Sequence, residues 1–437
     1  MRVSRTTAAA AVLWAVALAI YLPQAGHGFV QDDFRWIVES RVASLGEVPR
    51  LFFANVGFYR PLVSLSFAID YALWGTDAFG YALTNVAFYL LAAALLYLLA
   101  RRFGLTPAAA VATMAVWMFN FSGVNMALLW LSGRTALLVT VFSLLCTHAV
   151  VRRRYWVAAA MSTAAVLCKE EAVVLPLFFA IVLVASERRL AAAWKTVPMW
   201  TGLAAYLLLR SHSGAFWPAD APSYYRLSFA PGLLLRNFVE YADRSATVAL
   251  IVAVAFALVG RIRPADFNAD ERRVLTFAII WLPAMFGLTV FLPVRSSLYA
   301  LLPSVGSALI AGVFAAVAQR THQPRFDRTA AVMIVLVVLL TPVYRARNVR
   351  WVKPAELTEQ VMTTLVRDLR NAAPGRVVVI DDPAERFNLT TAFGGLFQDA
   401  LLLRLGKGWS GDVVTDTAAV TADHTYRLSD GVLTRQR

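Results

Sequence analysis

The chain has 437 residues, of which 59% are hydrophobic and 16% are charged, and its formal net charge is +14. A soluble protein carries about 25% charged residues, so this composition excludes an ordinary soluble protein and predicts an integral membrane protein. The positive charge does not indicate nucleic-acid binding, because the basic residues form short clusters between apolar runs. Cys146 and Cys168 lie in apolar stretches and form no metal-binding or disulfide pattern.

Apolar segments of nearly membrane-spanning length recur along the chain. Arg2 and Arg5 precede the first, at about Thr7–Leu22, and no clean signal-peptidase site follows it, which indicates an uncleaved helix that begins in the cytoplasm. Further spans are predicted at about Phe79–Ala100, Pro107–Phe121, Thr135–Val151, Tyr155–Cys168, Ala172–Ala185, Pro198–Leu209, Thr247–Gly260, Val274–Leu292, Leu298–Ala318 and Ala330–Tyr344. The predicted fold is therefore an all-α polytopic membrane protein with about eleven transmembrane helices.

The basic residues between these spans support one topology. With the N-terminus in the cytoplasm, every strong basic cluster falls in a loop on the cytoplasmic side. These clusters are Arg101–Arg102, Arg152–Arg153–Arg154, Arg188–Arg189 with Lys195, Arg261/Arg263/Arg272/Arg273, and Arg320/Arg325/Arg328. The expected location is a bacterial inner membrane, with the C-terminal part in the periplasm.

The stretch from Tyr155 to Ala185 allows two interpretations. Two helices of about 14 residues would each be short for a bilayer, whereas one long helix would place three charged residues, Lys169, Glu170 and Glu171, in the hydrocarbon. One long helix would also reverse the topology of every later loop. We therefore predict a hairpin whose tip carries these three residues to the outer surface.

Two segments outside the membrane are unusually long. Residues 23–78 form a first extracytoplasmic loop with an apolar stretch at Pro61–Leu73, predicted to be a helix at the membrane interface. Residues 1–345 are predicted to form the membrane domain, and residues 346–437 a small soluble α/β extracytoplasmic domain. Its predicted helices are Pro354–Asn371 and Thr391–Leu403, and its predicted strands are Arg376–Ile380 and Asp412–Thr415.

The first loop contains the most informative polar residues. Asp32 and Asp33 are adjacent, so at least one should have a raised pKa unless a cation is near. In a helix Arg35 would lie on the same face as Asp32, so that Asp32 could act as a base while Arg35 holds an anion. The alternative is a solvated helix start, where aspartate is favoured. Arg60, followed by Pro61, suits a lipid-borne phosphate at the interface, although arginines at this depth also extend to headgroups.

The order of these motifs resembles that of the GT-C glycosyltransferases. Asp32-Asp33-x-Arg35 follows the first span, and Tyr59-Arg60-Pro61-Leu62 precedes an amphipathic stretch. This pattern is similar to the first loops of the protein O-mannosyltransferases and of the lipid A aminoarabinose transferase. The downstream motifs resemble the transmembrane O-mannosyltransferases that carry tetratricopeptide repeats. These motifs are Gly80-Tyr81-x-x-x-Asn85, Ser132-Gly133-Arg134, Lys169-Glu170 and Arg295-x-x-x-Tyr299-x-x-x-Pro303-x-x-Gly306.

The resemblance covers about residues 1–345, and the sequence departs from the family pattern at three points. Asp33 stands where many relatives have glutamate. The motif that begins at Arg295 is spaced slightly differently. No tetratricopeptide array follows the membrane domain, so no acceptor preference that depends on such repeats can be carried over.

The resemblance implies transfer of a hexosyl or pentosyl group from a polyprenyl-phosphate donor to a protein, lipid or polysaccharide acceptor, with inversion at the anomeric carbon. Asp32 matches the base, and Asp33 would support it or help to hold a divalent ion such as Mg²⁺ or Mn²⁺; whether a metal takes part stays open. Arg35 and Arg60 match the phosphate-binding side chains, and Lys169 and Arg295 are further candidates for this role. Three residues are candidates for support: Arg134, Glu170 and Tyr299.

Other classes of function remain as alternatives. A secondary transporter or lipid flippase would concentrate ionisable residues near mid-membrane, whereas here they gather near the predicted outer surface. A third hypothesis is a scaffold whose C-terminal domain recruits partners. The segment Gly406–Gly411 matches a dinucleotide fingerprint, but it follows a predicted helix and precedes a strand, the reverse of the required order. The chain contains no P-loop motif, which argues against an ATP-driven pump.

Overall fold

The computed structural model describes residues 5–53, 57–215, 217, 221–322, 326–382, 385–415, 422–429 and 431–436. Within these residues the chain is mostly helical, with one small sheet near the C-terminus. The α-helices are α1 (Arg5–Tyr21), α2 (Asp32–Ser40), α3 (Arg50–Phe53), α4 (Pro61–Trp74), α5 (Ala78–Arg102), α6 (Pro107–Met118), α7 (Val124–Leu129), α8 (Arg134–Val151), α9 (Tyr155–Val166), α10 (Leu175–Glu187), α11 (Val197–Ser211), α12 (Pro231–Val259), α13 (Ala269–Phe286), α14 (Ser304–His322), α15 (Phe326–Leu369), α16 (Leu389–Phe393) and α17 (Phe397–Arg404). The strands are β1 (Arg376–Ile380), β2 (Ser410–Val414), β3 (His424–Ser429) and β4 (Val432–Arg435).

Each of the eleven predicted spans overlaps a helix of the structure, although some bounds differ; Thr247–Gly260, for example, covers only the second half of α12. Among the described residues, six helical segments are long and apolar enough to cross a membrane: Thr7–Gln24, Ala78–Arg102, Leu131–Val151, Pro231–Val259, Ala269–Phe291 and Ser304–Thr321. Other apolar helices, such as α6 and α9, have 12 residues and reach about 18 Å. The polytopic membrane fold is therefore confirmed, and the number of eleven spans stays a prediction.

The predicted cytoplasmic loops meet at one end of the bundle. Nη1 of Arg102 lies 3.4 Å from Nδ1 of His148, which is close to the basic cluster Arg152–Arg154 after α8. Thr106 and Gln319 are joined by a hydrogen bond of 2.6 Å, and Arg320 pairs with Glu271 at 2.7 Å. Four of the five loops that carry basic clusters are therefore neighbours in space, as the topology requires.

The chain breaks between α9 and α10 where a hairpin was predicted. Helix α9 ends at Val166, the extended residue Lys169 follows, and a short 3₁₀ turn over Glu170–Val174 leads into α10. Pro176 lies in the first turn of α10, where its missing N–H costs no helical hydrogen bond. One continuous helix is thus excluded, and the charged residues lie at the break.

The C-terminal domain is an α/β unit, as predicted, with a four-stranded sheet in the order β2-β1-β3-β4. Strand β1 is parallel to both β2 and β3, and β3 and β4 form an antiparallel hairpin. The predicted strand Arg376–Ile380 has the bounds of β1, and Asp412–Thr415 overlaps β2. Strands β3 and β4 were not predicted, although in β3 the buried residues His424, Tyr426 and Leu428 alternate with less buried ones, which is the pattern of a half-buried strand.

Two helix predictions in the C-terminal part were wrong in detail. The last span and the segment Pro354–Asn371 were predicted as separate helices, but α15 is continuous through both, with Pro342 and Pro354 inside it. The predicted helix Thr391–Leu403 is divided into α16 and α17. Gly394 and Gly395 separate these two helices with φ values of +57° and +79°, which end a helix and which other residues rarely adopt.

Candidate functional site

A cleft forms where the first loop meets the break between α9 and α10. Arg60 immediately precedes α4, whose first residue is Pro61. The Arg60 guanidinium donates two hydrogen bonds to Oε2 of Glu170, at 3.0 Å from Nε and 2.8 Å from Nη2. Arg210, in the last turn of α11, approaches the other oxygen of Glu170 at 3.4 Å. One carboxylate is therefore held between two guanidinium groups.

A second ion pair lies beside the first. Lys169 Nζ is 2.5 Å from Oε1 of Glu171, and both side chains are almost completely buried. The ammonium also lies over the ring of Tyr299, 4.6 Å from its centroid. The cavity here has a volume of about 100 Å³, which is enough for a group the size of phosphate, because one water molecule takes about 30 Å³. Its lining residues are Phe58, Arg60, Lys169, Glu170, Glu171, Arg210, Tyr225, Leu227, Leu288, Thr289, Leu292 and Tyr299.

Asp32 and Asp33 occupy different environments at the start of α2. Asp32 is exposed, and no described residue forms a hydrogen bond or ion pair with its carboxylate. Asp33 is completely buried, and its Oδ1 accepts hydrogen bonds from the backbone N–H and hydroxyl of Ser132 at 2.7 and 2.5 Å. Its Oδ2 accepts a hydrogen bond from the Val30 N–H at 3.0 Å. Asp33 thus ties the first loop to the segment before α8, while Asp32 is available at the surface.

Asp32 lies within electrostatic range of the cleft. Partial burial raises the pKa of Asp32, and the positive charges of Arg35 and Arg60 act against this rise. Tyr225, which lines the cleft, is also close enough to interact electrostatically with both Asp32 and Arg60. The candidate base and the candidate phosphate ligand are therefore neighbours on the same side of the protein.

The charges in the cleft bias each other's protonation. Burial raises the pKa of Glu170, but the charge and hydrogen bonds of Arg60 and the charge of Arg210 outweigh it, so the net shift is downward. Burial lowers the pKa of Lys169, and Glu171 only partly compensates. For Asp33, burial raises the pKa to about 7 against the effect of its hydrogen bonds. Glu170 is therefore ionised at neutral pH and keeps Arg60 and Arg210 together.

Arg35 does not extend into the cleft. Its guanidinium lies 3.3 Å from Asp399 of α17 and 3.9 Å from Glu39. On the same surface, the Gln31 N–H donates to the Ala392 carbonyl at 2.9 Å. Arg35 instead helps to dock the C-terminal domain onto α2, a contact that sequence spacing within the first loop could not reveal. Its contact with a donor phosphate stays a prediction.

Arg134 is also not among the residues that line the cleft, and its supporting role stays a prediction. It is completely buried and pairs with Asp70, and its other donors reach Asn85, Ser66 and the Tyr81 carbonyl. The guanidinium also lies 4.4 Å from the centroid of the Phe67 ring. These contacts occupy the hydrogen-bond donors of Arg134 inside the bundle, where a buried charge is stable only with such partners.

The two residues of the late motif have different positions. Tyr299 lines the cleft, as described above, whereas Arg295 pairs with Glu240 of α12. Glu240 also contacts Arg236 and Arg244 at 3.4 and 3.2 Å, so Arg295 belongs to a separate ion cluster. The local 3₁₀ turn Ser297–Ala300 directs Tyr299, but not Arg295, towards the cleft.

Sequence reasoning missed several residues of the cleft. Arg210, Tyr225 and Glu171 were not candidates, although all three line it. A signal existed for Arg210, which directly follows the predicted span Pro198–Leu209 at its outer end, where the topology has few basic residues. Tyr225 gave no such signal, because it lies in a loop far from the other residues in sequence. Within the described parts of the chain, no group of three or more His, Cys, Asp or Glu residues could hold a metal ion.

The chain was compared with protein-family models, curated proteins and solved structures, and only solved structures match it. No protein-family model matches the chain, and no curated protein matches it. The apo structure of ArnT from Cupriavidus metallidurans is 18% identical, with a TM-score of 0.47 over 84% of this chain and 73% of that one. ArnT from the same organism bound to undecaprenyl phosphate is 14% identical, with a TM-score of 0.45 over 92% and 89% of the two chains.

Proposed function

We propose that the chain is an integral membrane glycosyltransferase that moves a sugar from a polyprenyl-phosphate donor to an acceptor hydroxyl. The observation that carries this proposal is the cleft lined by Arg60, Arg210 and Lys169, with the exposed carboxylate of Asp32 within electrostatic range of Arg60. A fixed cationic site next to a base is what such a transfer needs.

The charges of the cleft suit a sugar linked to a lipid phosphate. Three cationic side chains and two carboxylates leave one excess positive charge in the lining, and a phosphodiester donor carries one negative charge. When the sugar leaves, the phosphate gains a further charge, so cations fixed in place favour the transition state over the ground state. Leu227, Leu288 and Leu292 form an apolar part of the lining that suits the first isoprene units.

The bond changes follow from this arrangement. The acceptor oxygen forms a bond to the anomeric carbon while the bond from that carbon to the phosphate oxygen breaks. The acceptor proton moves to Asp32, and polyprenyl phosphate leaves with the electron pair held by Arg60, Arg210 and Lys169. Direct displacement of this kind inverts the anomeric centre. No general acid is needed, because phosphate is a good leaving group.

Asp33 has a positioning role in this proposal. Its three hydrogen bonds to Val30 and Ser132 fix the backbone from which the Asp32 side chain extends. Glu170 likewise orients Arg60 and Arg210 towards each other. The acceptor is a protein, lipid or polysaccharide hydroxyl on the side of the membrane that carries the first loop, which the topology predicts to be the periplasm. Undecaprenyl phosphate, bound in one of the similar ArnT structures, belongs to the same chemical class as the proposed donor.

A transfer assay with the purified full chain tests the proposal. The wild type and the variant Asp32→Asn are incubated in lipid nanodiscs with radiolabelled polyprenyl-phosphate sugars and candidate acceptors. Loss of the base should lower the transfer rate by about 10²–10⁴-fold. The variant Asp412→Asn, which removes an exposed carboxylate of β2, is the matched control and should keep the wild-type rate.

Three results would contradict the proposal. Equal transfer by wild type and Asp32→Asn would exclude Asp32 as the base. Absence of transfer with every donor, combined with movement of a labelled lipid or solute across the membrane, would instead favour a transporter or flippase. Retention of anomeric configuration in the product, measured by NMR, would exclude direct displacement.

A further inference from the structure

A second cavity lies at the opposite end of the bundle from the cleft. It is an open groove of about 430 Å³ lined by Arg153, Arg154, Tyr155, Trp156, Val157, Trp194, Lys195 and Pro198. Helix α9 starts at the groove and ends near Lys169, and α11 also starts there and carries Arg210 in its last turn. The two helices pack closely, because a Cβ on Gly202 would lie 2.0 Å from the Thr163 hydroxyl oxygen. The groove is therefore separate from the proposed active site.

The groove is strongly basic. Arg153 and Arg154 are exposed on one side of it, and Lys195 lies on the other. Arg152, Arg188 and Arg189 lie in the same two loops and are exposed too. Among the described residues of these two loops and the helix ends beside them, Glu187 is the only acidic group, and it accepts from Lys195 at 2.5 and 2.6 Å. The positive charge of the groove is thus largely uncompensated.

Two tryptophans flank these charges. Trp156 and Trp194 are 78% and 75% exposed, although large aromatic side chains are usually mostly buried in a protein. Exposed tryptophans are favoured at the headgroup level of a bilayer, where one part of the ring is apolar and the N–H reaches water. Leu190, in the same loop, is 84% exposed. This combination places the groove at a membrane surface.

The floor of the groove contains hydrogen-bond donors. Tyr155, Trp156 and Val157 are the first three residues of α9, and the N–H groups of a first turn have no partner within the helix. No side chain caps this helix. The Tyr155 hydroxyl is buried, and no described residue forms a hydrogen bond with it. An anion in the groove would therefore meet positive charge and the N-terminus of α9 together.

We propose that this groove binds the phosphate headgroup of an anionic membrane phospholipid. The arginines and Lys195 would hold the phosphate, while Trp156 and Trp194 would pack against the glycerol backbone and the upper acyl chains. Basic pockets between transmembrane helices on the cytoplasmic side are suited to such lipids. The inference does not depend on the proposed glycosyltransferase activity.

Native mass spectrometry of the full chain, titrated with phosphatidylglycerol, tests the proposal. The double variant Arg153→Gln/Arg154→Gln should bind the lipid at least about tenfold more weakly, because each basic residue near the headgroup contributes about 1 kcal/mol. The control Arg101→Gln/Arg102→Gln removes the same charge from a neighbouring loop at the end of α5 and should bind within twofold of wild type. Trp156→Ala should weaken binding, and Trp156→Phe should largely restore it.

Other results would overturn the proposal. Equal losses in the two double variants would show that general surface charge, not the groove, attracts the lipid. Equal affinity for phosphatidylcholine would contradict recognition of a net negative headgroup. Displacement of the lipid by inorganic phosphate at the same concentration would identify free phosphate as the ligand. Thermal denaturation of each variant identifies loss of folding, and Trp156→Phe keeps the test valid if Trp156→Ala unfolds.

Discussion

Arg60 and Glu170 are 110 residues apart in the chain, and the guanidinium of one donates to the carboxylate of the other at 2.8 and 3.0 Å. This contact joins the first loop to the break between α9 and α10. It also explains why Arg210 can lie close to a second arginine, since Glu170 stands between them.

Replacement of Glu170 should therefore destabilise the cleft. Glu170→Gln leaves two partly buried guanidinium groups without a counter-charge, and breaking such a pair costs about 3 kcal/mol. A double-mutant cycle with Arg60→Gln, followed by thermal unfolding in detergent, should give a coupling of about 1–3 kcal/mol. Additive effects of the two substitutions would contradict a direct interaction. Glu356→Gln, which removes an exposed partner of Lys353, should change stability by less than about 1 kcal/mol.

The pH dependence of transfer should report on Asp32. The rate should rise with pH as Asp32 loses its proton, because only the carboxylate can accept the acceptor proton. Arg35 lowers the pKa of Asp32, so Arg35→Gln should raise this pKa and move the acidic limb of kcat/KM to higher pH. Arg35→Lys keeps the charge and should leave the limb near its wild-type position. A shift to lower pH in Arg35→Gln would contradict the assignment.

Asp33 should be important for stability. In Asp33→Asn one amide orientation places the NH₂ group against the Val30 N–H and the other places it against the two donors of Ser132. A buried donor without an acceptor costs about 1–3 kcal/mol, so the variant should unfold at a lower temperature than Asp32→Asn. Equal melting temperatures of the two variants would contradict the structure.

The raised pKa of Asp33 makes the free energy of unfolding depend on pH in a defined direction. The folded protein holds the proton up to about pH 7, whereas the unfolded chain releases it near the ordinary aspartate pKa of about 3.9. Between these values the folded state binds more protons, so the contribution of Asp33 to stability falls as pH rises. The difference in unfolding free energy between wild type and Asp33→Asn should change with pH in this window and be constant above it.

The pair formed by Arg134 and Asp70 should show the behaviour of a buried structural ion pair. Arg134→Met leaves the Asp70 carboxylate buried without its cation and should destabilise the protein by about 3–5 kcal/mol. Asp70→Asn in the same background removes the unpaired charge and should recover part of this loss. Transfer activity per folded molecule should stay close to wild type in the double variant. A selective loss of donor binding would instead place Arg134 in the site.

Docking of the C-terminal domain should influence the Asp32 loop. Gln31 has a φ of +48°, and a Cβ on Gly394 would lie 3.1 Å from the Gln31 Cγ. Gly394→Ala should therefore disturb the loop and lower transfer several-fold, besides the conformational cost of about 1–2 kcal/mol for alanine at positive φ. Gly406→Ala has the same type of conformational cost, with no atom within 4 Å of the new Cβ. Equal transfer by the two variants would contradict a role for this contact.

The sequence by itself determined the membrane fold, because the length and apolarity of a segment are local properties that the bilayer selects. It also predicted the break at Lys169 and the bounds of β1, since a charged run cannot remain in hydrocarbon and a short apolar run before a turn favours a strand. The likeness of the first loop to that of a known family placed Asp32 and Arg60 among the candidate residues.

Only the tertiary structure decided which charged residues meet. Arg35, Arg134 and Arg295 were candidates beside Arg60, but their partners Asp399, Asp70 and Glu240 come from other elements. Arg210 and Tyr225 join the cleft through packing of distant segments. Ion pairs form wherever burial brings opposite charges together. Which partner a charged residue meets therefore depends on contacts across the whole fold, and the spacing of residues along the chain does not encode these contacts.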